Sequence, residues 1–191
     1  MFYRTSMSQT LAELLPKLDA IVGKKYTLPI TANKGRPGLF LETLLGIPHT
    51  SNCLDCVDGE LKTFPLKKLK NGTLVPKETM AITMLSKDEL KECEFGASNC
   101  CKKLAKMLVV PYYRTGATVE YMSPKVVSGE TYEGLYATLE ADYNEIRKQF
   151  LETGVLQSKT GTLLQNRTKG SGHGSTSRAF YLRKEFMKRL L

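Results

Sequence analysis

The stretch Cys53-Leu54-Asp55-Cys56-Val57-Asp58-Gly59-Glu60-Leu61-Lys62 is the point from which the chain is best read, together with Glu42 just before it. Asp58-Gly59 between two short apolar-rich runs predicts a tight β-hairpin turn. Beyond the turn, Glu60 and Lys62 are two apart on a predicted strand, so they share a face while Leu61 takes the other. Asp55 is then within reach of Glu60 across the hairpin. A cluster of carboxylates with an ammonium group at its edge suits Mg²⁺, which takes carboxylate, carbonyl and water oxygens and leaves room for a phosphate. The lysine can orient or deprotonate a water, or face charge that builds on the phosphate. Alternating charges are also common on exposed strands, so the rest of the chain decides how this stretch is read.

The 191 residues are enough for one domain, 1–191, with its own core. Lys and Arg number 28 against 19 acids, a net charge of +9, and this excess favours a polyanionic partner such as nucleic acid. No apolar run reaches the length of a bilayer span, and the start does not read as a signal peptide. Five cysteines, an odd number with Cys100 and Cys101 adjacent, suggest reduced thiols and a cytoplasmic setting rather than a disulfide framework.

Along the chain, apolar residues at helical spacing predict a helix over 8–23, opened by Ser8, interrupted or started at Pro16 and stopped by Gly23. Residues 26–33 read as a connector. A second helix ends near Leu45, with Pro37 in its first turn, and Glu42 lies off its apolar stripe. The segment 67–75 reads as a basic turn and 78–85 as a strand. Ser86-Lys87-Asp88-Glu89 is a capping box before a short helix. A basic helix over 99–106 feeds a buried strand, 107–112, and another strand follows at 118–122. The longest helix spans about 131–153, its aromatic stripe read as core and Gly154 as its stop. Short strands at 162–166 and 179–182 flank a Gly-rich loop, 170–176, before a basic C-terminal helix. This alternation predicts an α/β fold, a central mixed β-sheet flanked by helices.

Other chemistries fit less well. Cys53 and Cys56 lack a second spaced pair and fall on opposite faces of a strand, which argues against a structural zinc site even with His49, Cys100 and Cys101 included. His49 and His173 have no nucleophile-elbow context. The Gly-rich loop lacks the Lys-Ser/Thr ending of a phosphate loop. It reads instead as a DNA-contacting loop, followed by Arg178, whose guanidinium can donate two bonds to guanine.

Four separated stretches resemble the MutH family, the mismatch-repair nicking endonucleases and the related type II restriction endonucleases that cut at GATC. They are Asn33-Lys34-Gly35 with Gly38 and Glu42; Gly59-Glu60-Leu61-Lys62-Thr63 with Pro65, Pro76, Glu78 and Thr79; Lys103-Leu104-Ala105-Lys106-Met107-Leu108-Val109-Val110-Pro111; and Arg178-Ala179-Phe180-Tyr181-Leu182-Arg183-Lys184. The resemblance implies a restriction-endonuclease-like fold and Mg²⁺-dependent hydrolysis of a phosphodiester in double-stranded DNA. Glu42, Asp55 and Glu60 would be the metal ligands, Lys62 the catalytic lysine and Lys103 a second active-site lysine. Lys34, Arg167, Lys169, Arg178, Tyr181 and Lys184 would contact DNA. The family leaves a longer interval between its aspartate and Glu-x-Lys than this chain does. Asp55 is preferred over its rival Asp58, because a carboxylate in the turn itself is more plausibly a turn former. Restriction-type cleavage on a palindrome, with a homodimer as the natural partner arrangement, is the leading expectation. The alternatives are a repair nickase driven by an activator protein, or a DNA-binding protein of the same fold without catalysis.

Overall fold

The computed structural model describes residues 9–28, 36–48, 52–169 and 176–191. Ser8, Lys34, His49 and all but the last residue of the Gly-rich loop 170–176 lie outside them. At the centre are two parallel neighbours, β2 (Glu60–Lys68) and β5 (Lys106–Thr115), in register from Glu60 opposite Met107 to Leu66 opposite Tyr113. Around them the sheet runs β1 (Lys25–Thr27), β6 (Thr118–Tyr121), β5, β2, β3 (Leu74–Pro76), with β7 (Lys125–Ser128) also paired to β5. Every other pairing in this sheet is antiparallel, so it is the mixed sheet that the sequence predicts.

Because β2 and β5 have no solvent side, their alternate residues feed two cores. Leu61, Leu108 and Val110 join Leu11, Leu14 and Leu18 of α1 (Leu11–Asp19) and Leu41 and Leu45 of α2 (Arg36–Leu45). Phe64, Leu66, Met107 and Val109 face the other way, toward Leu104 of α4 (Asn99–Ala105) and Leu139, Tyr143 and Ile146 of α5 (Glu133–Thr153). A second, antiparallel sheet packs into this larger core in the order β4 (Met80–Met84), β9 (Arg178–Leu182), β8 (Leu164–Thr168). α3 (Lys87–Glu92) and α6 (Lys184–Lys188) complete the chain.

Several local expectations are revised. Thr10, not Ser8, caps α1, with a full capping box to Glu13, and Pro16 sits inside the helix without ending it. The connector contains β1, and β7 went unread; both are edge strands of three or four residues whose partners lie far away in sequence. The basic turn after β2 is shorter than predicted, since β2 continues to Lys68 and β3 begins at Leu74. Ser86 caps α3, but Glu89 turns its carboxylate to the backbone and side-chain amides of Asn99, so it joins α3 to α4 instead of closing the box.

The predicted hairpin at Asp58-Gly59 is reduced to a single bridge. Cys56 pairs with Gly59, the turn itself is Val57-Asp58, and no regular strand precedes it. Gly59 is needed for space and not for a left-handed backbone: a Cβ there would lie 2.5 Å from Leu11 Cδ1 and 2.5 Å from the Lys106 carbonyl oxygen. The backbones of β2 and β5 therefore meet at this glycine, with α1 against it. Gly59→Ala is expected to cost about 3 kcal/mol, near the top of the usual range for overpacking, because a main-chain oxygen cannot move aside as a side chain can. Chemical denaturation of the variant and wild type measures it.

Candidate active site

The site forms at the start of β2, where the bridge at Cys56 and Gly59 folds residues 52–56 back over the strand. The Asp55 carboxylate accepts the Leu61 N–H at 3.1 Å, and the Asp55 N–H donates to Glu60 Oε2 at 3.3 Å. These reciprocal bonds lock the acids side by side despite the short interval between them. Glu60 is almost wholly buried, with 2% of its side chain exposed, and both Lys62 Nζ and Lys103 Nζ donate to its Oε1 at 2.6 Å. Lys62 comes from two residues along the same strand face. Lys103 comes from the last turn of α4, which β5 holds beside β2. Helix spacing alone left Lys103 either on a charged face or in the site, and it points into the site.

Asp55 carries the clearest electrostatic signature. Burial, then the neighbouring Glu60 charge, raise its carboxyl above the ordinary aspartate range, against the pull of Lys62, Lys103 and the Leu61 N–H. Asp58 lies elsewhere: its Oδ1 accepts the Leu11 N–H at 2.7 Å and its Oδ2 the Lys106 ammonium at 2.5 Å. Partial burial would raise its carboxyl, but these two donors outweigh that and hold it below the usual value.

Glu42 is half-buried on α2. That helix covers the face of β2 carrying Leu61 and Thr63, with Gly38 packed against Thr63, whereas Glu60 and Lys62 take the alternate face. Among the described residues no group of three or more Asp, Glu, His or Cys side chains stands in metal-holding geometry, and Asp55 and Glu60 are the two acids hydrogen-bonded side by side. That pair still fits Mg²⁺. Its donors are hard carboxylate oxygens, an ion of this kind keeps several waters and needs only one or two carboxylates, and a cation would offset the Glu60 charge that adds to burial in raising Asp55.

The basic candidates divide. A cleft of about 470 Å³ runs beside β2, lined by Gly38, Thr63, Glu78, Thr79, Arg167 and Tyr181 among others. Lys169 lies along the same wall. Arg167 donates to Thr79 Oγ1 at 3.1 Å, and its guanidinium carbon is 6.0 Å from the Tyr181 ring centre, a loose cation–π contact. Arg178 is half-buried and donates to Asn166 Oδ1 at 2.7 Å and Ser158 Oγ at 2.9 Å, which ties β9 to β8 and to the segment before it. Lys184 is half-buried at the start of α6. Asp142, unremarked in the sequence, is buried on α5 and its carboxylate accepts the N–H groups of Thr162, Leu163 and Leu164, fixing the approach to β8.

A buried acid held by two lysines thus stands at the start of a central strand. Residues 51–142, which carry Asp55, Glu60, Lys62 and Lys103, match the family described as DNA mismatch repair enzyme MutH. Among solved structures, a restriction endonuclease MvaI–cognate DNA substrate complex aligns over 96% of this chain and 96% of its own, at 14% sequence identity and a TM-score of 0.49. No curated protein matches the sequence. No helix among the described residues is long and apolar enough to cross a membrane.

The raised Asp55 carboxyl has a definite sign in the metal-free protein. Its contribution to stability is present at low pH and is lost as pH rises from the unfolded carboxyl's range, about 4, through the higher folded value. Asp55→Asn should therefore flatten the pH dependence and leave the metal-free protein more stable than wild type at neutral pH. The same variant should lose the rise in Tm that added Mg²⁺ gives wild type. Thermal unfolding across pH, with and without Mg²⁺, reads both effects.

Proposed function

We propose that this protein is a Mg²⁺-dependent, sequence-specific endonuclease of double-stranded DNA, cutting in the restriction manner at GATC or a related short palindrome. The observation that carries the reading is the buried Glu60 carboxylate, paired with Asp55 and held by Lys62 and Lys103, inside the segment that matches MutH. The net charge of +9 supports a polyanionic substrate. The MutH likeness of residues 51–142 supports DNA as that substrate.

Asp55 and Glu60 would hold the ion, and Glu42 on α2 is the third acid of the proposal. When bound, Mg²⁺ supplies charge neutralisation at the phosphoryl oxygens and at the leaving 3′ oxygen. Lys62 Nζ, on the same strand face as Glu60, orients the attacking water in line with the scissile bond. Lys103 Nζ brings a second positive charge toward the phosphate from α4, in a setting shielded from solvent, where such a charge acts more strongly than in water. In the cleft, Arg167, Lys169 and Tyr181 are assigned to DNA contact, Arg167 and Lys169 through charge and Tyr181 through its ring face. Arg178 supports the β8–β9 hairpin that presents them, and Lys34 and Lys184 are assigned to the phosphate backbone.

A palindromic target and one site per chain call for a homodimer or two successive nicks. Plasmid DNA incubated with Mg²⁺ is expected to be linearised at a fixed site by wild type. Glu60→Gln and Lys62→Ala should each lower the rate by at least about 100-fold while binding the same DNA. Nicking that stops at open circles and rises with a partner protein would move the assignment to a repair nickase. DNA binding without cleavage by wild type would make the chain a binding protein only.

A further inference from the structure

Glu60 is held by Lys103, and two residues before it Asp58 is held by Lys106, three residues after Lys103. The two ion pairs are rungs between the same two segments, the turn at 55–60 and the end of α4. The outer rung has a further anchor, since the other oxygen of Asp58 accepts the first N–H of α1, at Leu11. Between the rungs lies Gly59, where an added Cβ would fall 2.5 Å from both the Lys106 carbonyl oxygen and Leu11 Cδ1. Within the inner rung, Glu60 Oε1 is shared by two ammonium groups, and Asp55 joins the strand through its bonds to Glu60 and the Leu61 N–H.

We propose that Asp58 and Lys106 are positioning residues, whose ion pair sets the turn so that Asp55 stands beside Glu60 in the geometry a divalent cation requires. This deepens the proposed nuclease reading and rests on it for the role of the pair. The second aspartate works as a strut, tied to the start of α1 and to the first residue of β5. The outer rung is partly exposed, with 42% of the Lys106 and 32% of the Asp58 side chain accessible. Removing its charge therefore leaves both cores intact.

The test uses the full chain carrying Asp58→Asn or Lys106→Gln, or both. Asparagine keeps an acceptor for Leu11 and removes only the ionic contact. Amide hydrogen exchange reads the position of Asp55 directly, because the Leu61 N–H is hydrogen-bonded to its carboxylate, and it needs neither metal nor activity. The expected result is at least tenfold faster exchange at Leu61 in each variant, unchanged exchange at Leu108 and Val110, and no further acceleration in the double variant. In cleavage assays kcat should fall about tenfold at unchanged KM for DNA, with a higher Mg²⁺ concentration needed for half-maximal rate. Exchange at Leu61 equal to wild type, acceleration spread evenly over β5, or effects that add in the double variant would each overturn the positioning role. If wild type does not cleave DNA, the nuclease reading fails by itself, and the exchange data still decide whether the strut holds Asp55.

Discussion

A single carboxylate oxygen, Glu60 Oε1, accepts from two ammonium groups that arrive from different elements, and much of the structure serves to make that meeting permanent. Burying an acid is costly unless it is paired and its remaining lone pairs are bonded. The cost is met here by Lys62 on the same strand, Lys103 from α4 and the Asp55 N–H on the other oxygen. Those donors are in place only because β2 and β5 run parallel from Glu60 and Met107 onward, bringing the end of α4 beside the start of β2. Parallel neighbours with both faces covered need a core on each side, and α1 with α2 and α4 with α5 provide one apiece.

That arrangement also explains the imbalance at the site. Two lysines donate to Glu60, while burial first and the neighbouring Glu60 charge second push the Asp55 carboxyl upward. The cleft lined by Thr63, Arg167 and Tyr181 opens beside β2, the strand that also carries Glu60 and Lys62.

Much of this was legible in the residues. Alternation across Glu60, Leu61 and Lys62 is forced by strand geometry, and the unbroken apolar run 107–110 marks a strand with no solvent face. The stretches that resemble MutH carried Lys103 into the site where helix spacing alone left it undecided. What escaped depends on distant pairing. β1 and β7 are too short to show a period and exist because β6 and β5 offer open edges. The face of β2 that α2 covers is set by the close approach of Gly38 to Thr63, which no local pattern around Glu42 announces. Asp58 read as a turn former and does sit in the turn, yet its partners Leu11 and Lys106 are 47 and 48 residues away.

The proposed nuclease chemistry requires Asp55 and Glu60 together to receive a divalent cation beside Lys62 and Lys103. Anomalous diffraction from crystals of the protein with a DNA duplex, grown with Mn²⁺ in place of Mg²⁺, tests it most directly. A strong peak within bonding distance of both carboxylates is the predicted result. Well-ordered density for both acids with the manganese elsewhere, or with Glu60 still closed on both lysines and no peak beside it, would contradict the account.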